Sequence, residues 1–112
     1  MRNVMQPILR ASTDSGAVWD DPSEDLLFEL LSDVEQGKES FLVIRRLGAT
    51  DTYIQVLLQD DRTYLIEHRD GGPSSHFAAT SPDKRTVHEV LTKWAYQLPG
   101  WESQLGWASV TF

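Results

Sequence analysis

With 112 residues, a formal net charge of −7 and no cysteine, the chain has room for one domain burying roughly 65% of its unfolded surface. Disulfide frameworks, thiolate metal sites and cysteine nucleophiles are excluded. The start, MRNVMQPILRAS, lacks the roughly 7–15-residue apolar core of a secretory signal. No stretch approaches the ~20 apolar residues of a bilayer span, so a cytoplasmic protein without membrane contact is expected.

Along the chain, residues 1–20 are weakly patterned: Val4 to Leu9 reads as an edge strand broken by Pro7, and Ser12 to Gly16 as a loop, so the segment is an arm or an edge strand. Helix-start signals coincide at Asp21-Pro22-Ser23-Glu24, with Asp21 as the expected cap and Pro22 in the first helical position. Leu26, Leu27, Leu30, Leu31 and Val34 form an apolar stripe to about Gln36, and Gly37 suits the C-terminal cap. Four short strands follow: Phe41 to Leu47, Thr52 to Gln59, Thr63 to Arg69 and Ser75 to Thr80. The turn signals Gly48-Ala49-Thr50-Asp51, Asp60-Asp61-Arg62 and Asp70-Gly71-Gly72-Pro73 separate them. A second helix starts at Ser81-Pro82-Asp83, carries Val87, Val90, Leu91, Trp94, Ala95 and Leu98 at helical spacing, and stops at Pro99-Gly100. Gly106 to Phe112 can add a last short strand.

The expected fold is α+β: an antiparallel meander of four to five strands with an N-terminal and a C-terminal helix packed on it, residues 21–112 forming the core of a single domain. Helices on one face leave the other for water or a partner.

Charge is unevenly distributed. Residues 1–40 hold nine acids against three bases, a net of −6, and the remaining 72 hold eight acids against seven bases, a net of −1. Glu24, Asp25, Glu29 and Asp33 lie largely off the apolar stripe of the first helix. Such a face repels phosphate, which argues against direct nucleic-acid binding; it attracts a basic protein, or it is a solvated face that keeps the chain soluble. On the meander, period-two alternation puts Tyr53, Gln55 and Leu57 on one face, and Leu65, Glu67 and Arg69 likewise. Glu67 and Arg69, with Tyr53 or Gln55 across the hairpin, form the best polar cluster: either a partner anchor using the guanidinium fork or an ordinary cross-strand pair.

No motif for catalysis, nucleotide or metal stands out. His68 and His76 lie on neighbouring strands, but His68 and Glu67 point to opposite faces of a regular strand. His88-Glu89 lacks a second histidine at position 92, which is Thr. The pairs Asp20-Asp21, Glu24-Asp25 and Asp60-Asp61 are explained by capping and turn formation. Of four tryptophans, Trp94 falls on the core side of the second helix, whereas Trp19, Trp101 and Trp107 are core or interface anchors.

The leucine-rich acidic helix ending at Gly37, then FLVIRRL, TYIQVLLQ and YLIEHRDGG, His76, a closing helix with Trp94, PGW and the Trp107 strand together resemble the type-one immunity family of bacterial polymorphic toxin systems, over roughly residues 23–110. The resemblance is an order of elements with scattered residues. It implies a non-enzymatic, cofactor-free and metal-free antitoxin-like protein that binds a co-encoded toxin, the family's partners including nucleic-acid deaminases, and blocks its active site. The expected contacts are Glu24, Asp25, Glu29, Asp33, Tyr53, Gln55, Glu67, Arg69 and Trp101. The alternatives are a small-ligand or regulatory module using a pocket on the open sheet face, and an enzyme using His68 or His76 with Glu67.

Overall fold

A computed structural model describes residues 6–112 of the chain. Seven strands, β1 (Leu9–Thr13), β2 (Val18–Asp20), β3 (Phe41–Arg46), β4 (Thr52–Leu58), β5 (Tyr64–Asp70), β6 (His76–Ser81) and β7 (Ala108–Ser109), form one antiparallel sheet in the order β2-β1-β3-β4-β5-β6-β7. Helices α1 (Glu24–Glu35) and α2 (Lys84–Ala95), the single turn α3 (Trp101–Gln104) and a short 3-10 turn at Pro73–Ser75 are the helical elements of the described residues. The α+β class and the central meander match the sequence reading, whereas the strand count rises from four or five to seven. No helix is long and apolar enough to cross a membrane among the described residues.

The additional strands come mainly from the segment expected to be an arm. Val4 and Met5 lie outside the described residues, and the strand runs Leu9–Thr13, taking in Ser12 and Thr13 that read as loop. β1 is interior to the sheet, paired to β2 on one side and to β3 on the other. Its alternation is the reason: Leu9 and Ala11 enter the core at 4% and 0% exposure, while Arg10 and Ser12 take the opposite face.

α1 begins two residues later than its sequence signals suggest. Ser23 is the cap, its Oγ accepting the Leu26 N–H at 3.1 Å. Asp21 instead turns back to β1, its carboxylate accepting the N–H groups of Ile8 (2.9 Å) and Leu9 (3.0 Å), at φ +47. Gly37, at φ +78, follows the last turn as expected. Asp83 caps α2 by accepting from Thr86 N at 3.1 Å. That helix ends at Ala95, before the expected stop, because Gln97 takes a left-handed backbone (φ +56), and Leu98 is left 47% exposed instead of joining the core.

Both long helices cover one sheet face. Leu27, Leu30, Leu31 and Val34 of α1 and Val87, Val90, Leu91, Trp94 and Ala95 of α2 pack against Leu9, Ala11, Leu42, Ile44, Ile54, Val56, Tyr64 and Ile66. Trp94 is core at 5% exposure; Trp19, Trp101 and Trp107 are partly buried against the same core. Among the described residues, the other sheet face is covered by neither α1 nor α2.

Candidate binding surface on the open sheet face

Register decides which side chains meet on the uncovered face. Arg45 pairs Tyr53, Tyr53 pairs Arg69, and Arg69 pairs His76, so these four form a row across β3, β4, β5 and β6. The next row is Val43, Gln55, Glu67 and Ala78, and beyond it lie Phe41, Leu57, Leu65 and Thr80. Alternation thus splits the face into an arginine and aromatic row, a polar row and an apolar row.

His76 is the centre of the first two. It is 2% exposed, with Nε2 2.7 Å from Glu67 Oε2, and Nδ1 accepts the Arg69 Nε–H at 3.0 Å. A guanidinium N–H can only donate, so Nδ1 carries the lone pair and the ring proton sits on Nε2, aimed at the carboxylate. Gln55 Nε2 donates to Glu67 Oε1 (3.3 Å), and Arg69 Nη1 donates to Asp51 Oδ2 (3.1 Å). The chain Gln55, Glu67, His76, Arg69, Asp51 is therefore closed, every member holding a partner.

Aromatic groups bracket it. The Arg69 guanidinium lies 5.7 Å from the Tyr53 ring centre and 5.1 Å from that of Phe112, within cation–π range. Phe112 also stands edge-on to His76 at 4.9 Å, while itself 74% exposed. Arg45 approaches the outer part of Tyr53 at 6.0 Å. Asp51 reaches Arg69 from the β3–β4 turn with φ +46, a conformation Asp tolerates better than most residues.

Such a patch is suited to recognition. Its polar atoms are pre-ordered, its arginine is flattened between rings, and the residue types are those enriched in binding hot spots. The imidazole is held on both nitrogens.

The expected contact residues fall into separate groups. Tyr53, Gln55, Glu67 and Arg69 are brought together here, as the alternation required. Glu24, Asp25, Glu29 and Asp33 lie on α1, whose apolar stripe covers the opposite sheet face. One flat partner surface therefore cannot touch both sets. Trp101 belongs to neither: it opens α3, packed against the core with its ring edge-on to His68 at 4.9 Å. His68 lies on the helix side, as predicted from strand alternation.

Asp51 and Phe112 escaped the sequence reading. His76 is named there with Glu67 as the acid/base pair of the enzyme alternative, and the structure brings the two within hydrogen-bond distance at 2.7 Å. The pairing needs the β5–β6 register, in which His76 stands opposite Arg69 and diagonal to Glu67. Three of the six paired carboxylates have structural roles: Asp20 bonds Arg10 at 2.7 Å, Asp21 ties to β1, and Asp61 accepts from Thr63 N (3.0 Å) and Oγ1 (2.6 Å) in the β4–β5 turn.

Comparison with protein families, with curated proteins and with solved structures returns no match to this chain.

Proposed function

We propose that this chain is an immunity, or antitoxin-like, protein that binds a co-encoded toxin acting on nucleic acid and occupies its active-site surface through the open sheet face. The observation carrying this reading is the closed network of Glu67, His76, Arg69 and Asp51, held between Tyr53 and Phe112 on a sheet face that neither α1 nor α2 covers. Pre-ordering lowers the cost of immobilising side chains on association. The resemblance of roughly residues 23–110 to type-one immunity proteins supplies the kind of partner. The net charge of −7 suits a toxin whose substrate groove must be basic. The α1 acids, a layer away from the contact face, act on approach rather than in the interface.

Co-purification of the tagged protein with the product of the neighbouring gene tests the reading. Tyr53→Ala and Arg69→Ala are expected to raise the Kd by at least about tenfold each, a hot-spot loss of ~1.4 kcal/mol or more. Charge reversal of Glu29 and Asp33 should change chiefly the salt-dependent association rate. Retention of full affinity by both open-face variants would reject this face as the contact, and absence of any captured protein with the neighbour expressed would reject the immunity reading.

A further inference from the structure

β5 presents its even-numbered residues to the helix side, and beyond Ile66 the cover of α1 gives way to the end of α2 and to α3. His68 and Asp70 there face a groove of about 390 Å³, walled by Arg46, Trp94, Trp101 and Glu102, within the roughly 300–1,000 Å³ typical of ligand sites.

His68 is only 8% exposed. Phe77 stacks on its ring at 4.9 Å, and the edges of Trp101 and Trp107 meet it at 4.9 and 4.6 Å. Neither ring nitrogen has a hydrogen-bond partner among the described residues, yet neither is sealed off as the Trp107 Nε1 is. A polar ring this deeply buried with no protein partner is costly unless a ligand or water completes it. Burial also pushes the imidazole's pKa below its ordinary value, so at neutral pH it offers one N–H and one lone pair.

The charges around the groove select the ligand's sign. The Arg46 guanidinium lies 4.4 Å from the Trp94 ring centre and donates to the Trp94 carbonyl at 2.8 Å and the Ala95 carbonyl at 3.4 Å, so its charge is directed at the negative end of α2. Asp70 and Glu102 have no ion-pair partner among the described residues. Asp70 interacts with the Arg46 charge at longer range, but two carboxylates against one guanidinium leave the groove net negative, which disfavours phosphate, while the indole of Trp101 and the imidazole lone pair favour a flat cation that donates hydrogen bonds.

We propose that this groove receives an arginine side chain of a partner protein, its guanidinium lying against Trp101 and donating to His68, Asp70 and Glu102. The site is on the opposite side of the sheet from the Arg69–His76 network and its test needs no toxin, so it stands or falls separately from the reading above.

The test is an NMR titration of the full chain, labelled at histidine and tryptophan, with N-acetyl-arginine methylamide and with its uncharged citrulline counterpart. The His68 ring and Trp101 indole signals should shift saturably with the arginine probe, while His76 stays unmoved. The citrulline probe should bind at least about tenfold more weakly, and Asp70→Asn with Glu102→Gln should weaken the arginine probe by about the same factor. Both positions are exposed, so the fold is kept, and an unchanged melting temperature checks this. No saturable shift up to about 50 mM, a Kd weaker than any useful contact, would overturn the proposal. So would equal binding of citrulline, indifference to the double substitution, or a larger response to inorganic phosphate.

Discussion

Replacing His76 by Leu probes whether the open-face network is held together as its geometry indicates. The substitution removes the bond to Glu67 at 2.7 Å and the bond from Arg69 at 3.0 Å. Hydrogen bonds to charged partners are worth about 1.5–3 kcal/mol each. Glu67 keeps Gln55 and Arg69 keeps Asp51, and their side chains retain 21% and 17% exposure, so water recovers part of the loss. Leu also fills most of the space beneath Phe112. The net destabilisation should be about 2–3 kcal/mol, a large share of a total of roughly 5–15 kcal/mol. With a urea slope of about 1–3 kcal/mol per M, the unfolding midpoint should fall by about 1–2 M. A double-mutant cycle with Glu67→Gln should return a coupling of about 1–2 kcal/mol. A loss below about 0.5 kcal/mol, or additive substitutions, would refute the network as a structural unit and leave it a surface pair.

Because burial lowers the pKa of His68, the unfolded chain binds more protons than the folded one below its ordinary value of 6.5; stability should therefore be complete above that pH and decline as pH falls toward the lowered folded value. Thermal melts across pH 5–8 check this, and His68→Gln should flatten the slope. Arg46→Ala removes the cap on the α2 carbonyls and the Trp94 stack, and should cost about 1–3 kcal/mol in denaturant unfolding. Removing residues 1–22 takes Leu9 and Ala11 from the core and leaves β3 as a long apolar edge; light scattering should show aggregation instead of a stable monomer.

Legibility followed the range of the physics involved. α1, α2 and strands β3 to β6 are read from alternation, helical stripe and turn residues, all of which act within a few positions, and each boundary fell within about three residues. β1 and β2 are not, because the run Leu9–Thr13 is held by pairing to β3, some thirty residues on, and the three-residue strand Val18–Asp20 forms only by pairing to β1. The cap at Ser23 rather than Asp21 has the same origin: Asp21 is engaged by backbone donors of β1, a tertiary claim that local propensity does not contain. In the site, same-face alternation placed Tyr53, Gln55, Glu67 and Arg69 together. The addition of His76, Asp51 and Phe112 depends on strand register and on where the chain's last residues lie.

One strand explains why two different surfaces meet at the same place. Along Glu67-His68-Arg69-Asp70 the side chains alternate between the open face and the helix side, so each successive residue joins the other surface. On the open face Glu67 and Arg69 find complementary partners in His76 and Asp51, and the charges close on themselves. On the helix side His68 and Asp70 extend past Ile66, the last residue of β5 in the main core, and their polar atoms remain uncompleted. A one-residue slip of β5 would exchange the two sets and bury Glu67 and Arg69 against Trp94 and Trp101. The seven-residue pairing with β4 and the six-residue pairing with β6 therefore fix both surfaces at once, and a substitution that weakens β5 pairing should disturb the two sites together, whereas Tyr53→Ala or Asp70→Asn should disturb only its own.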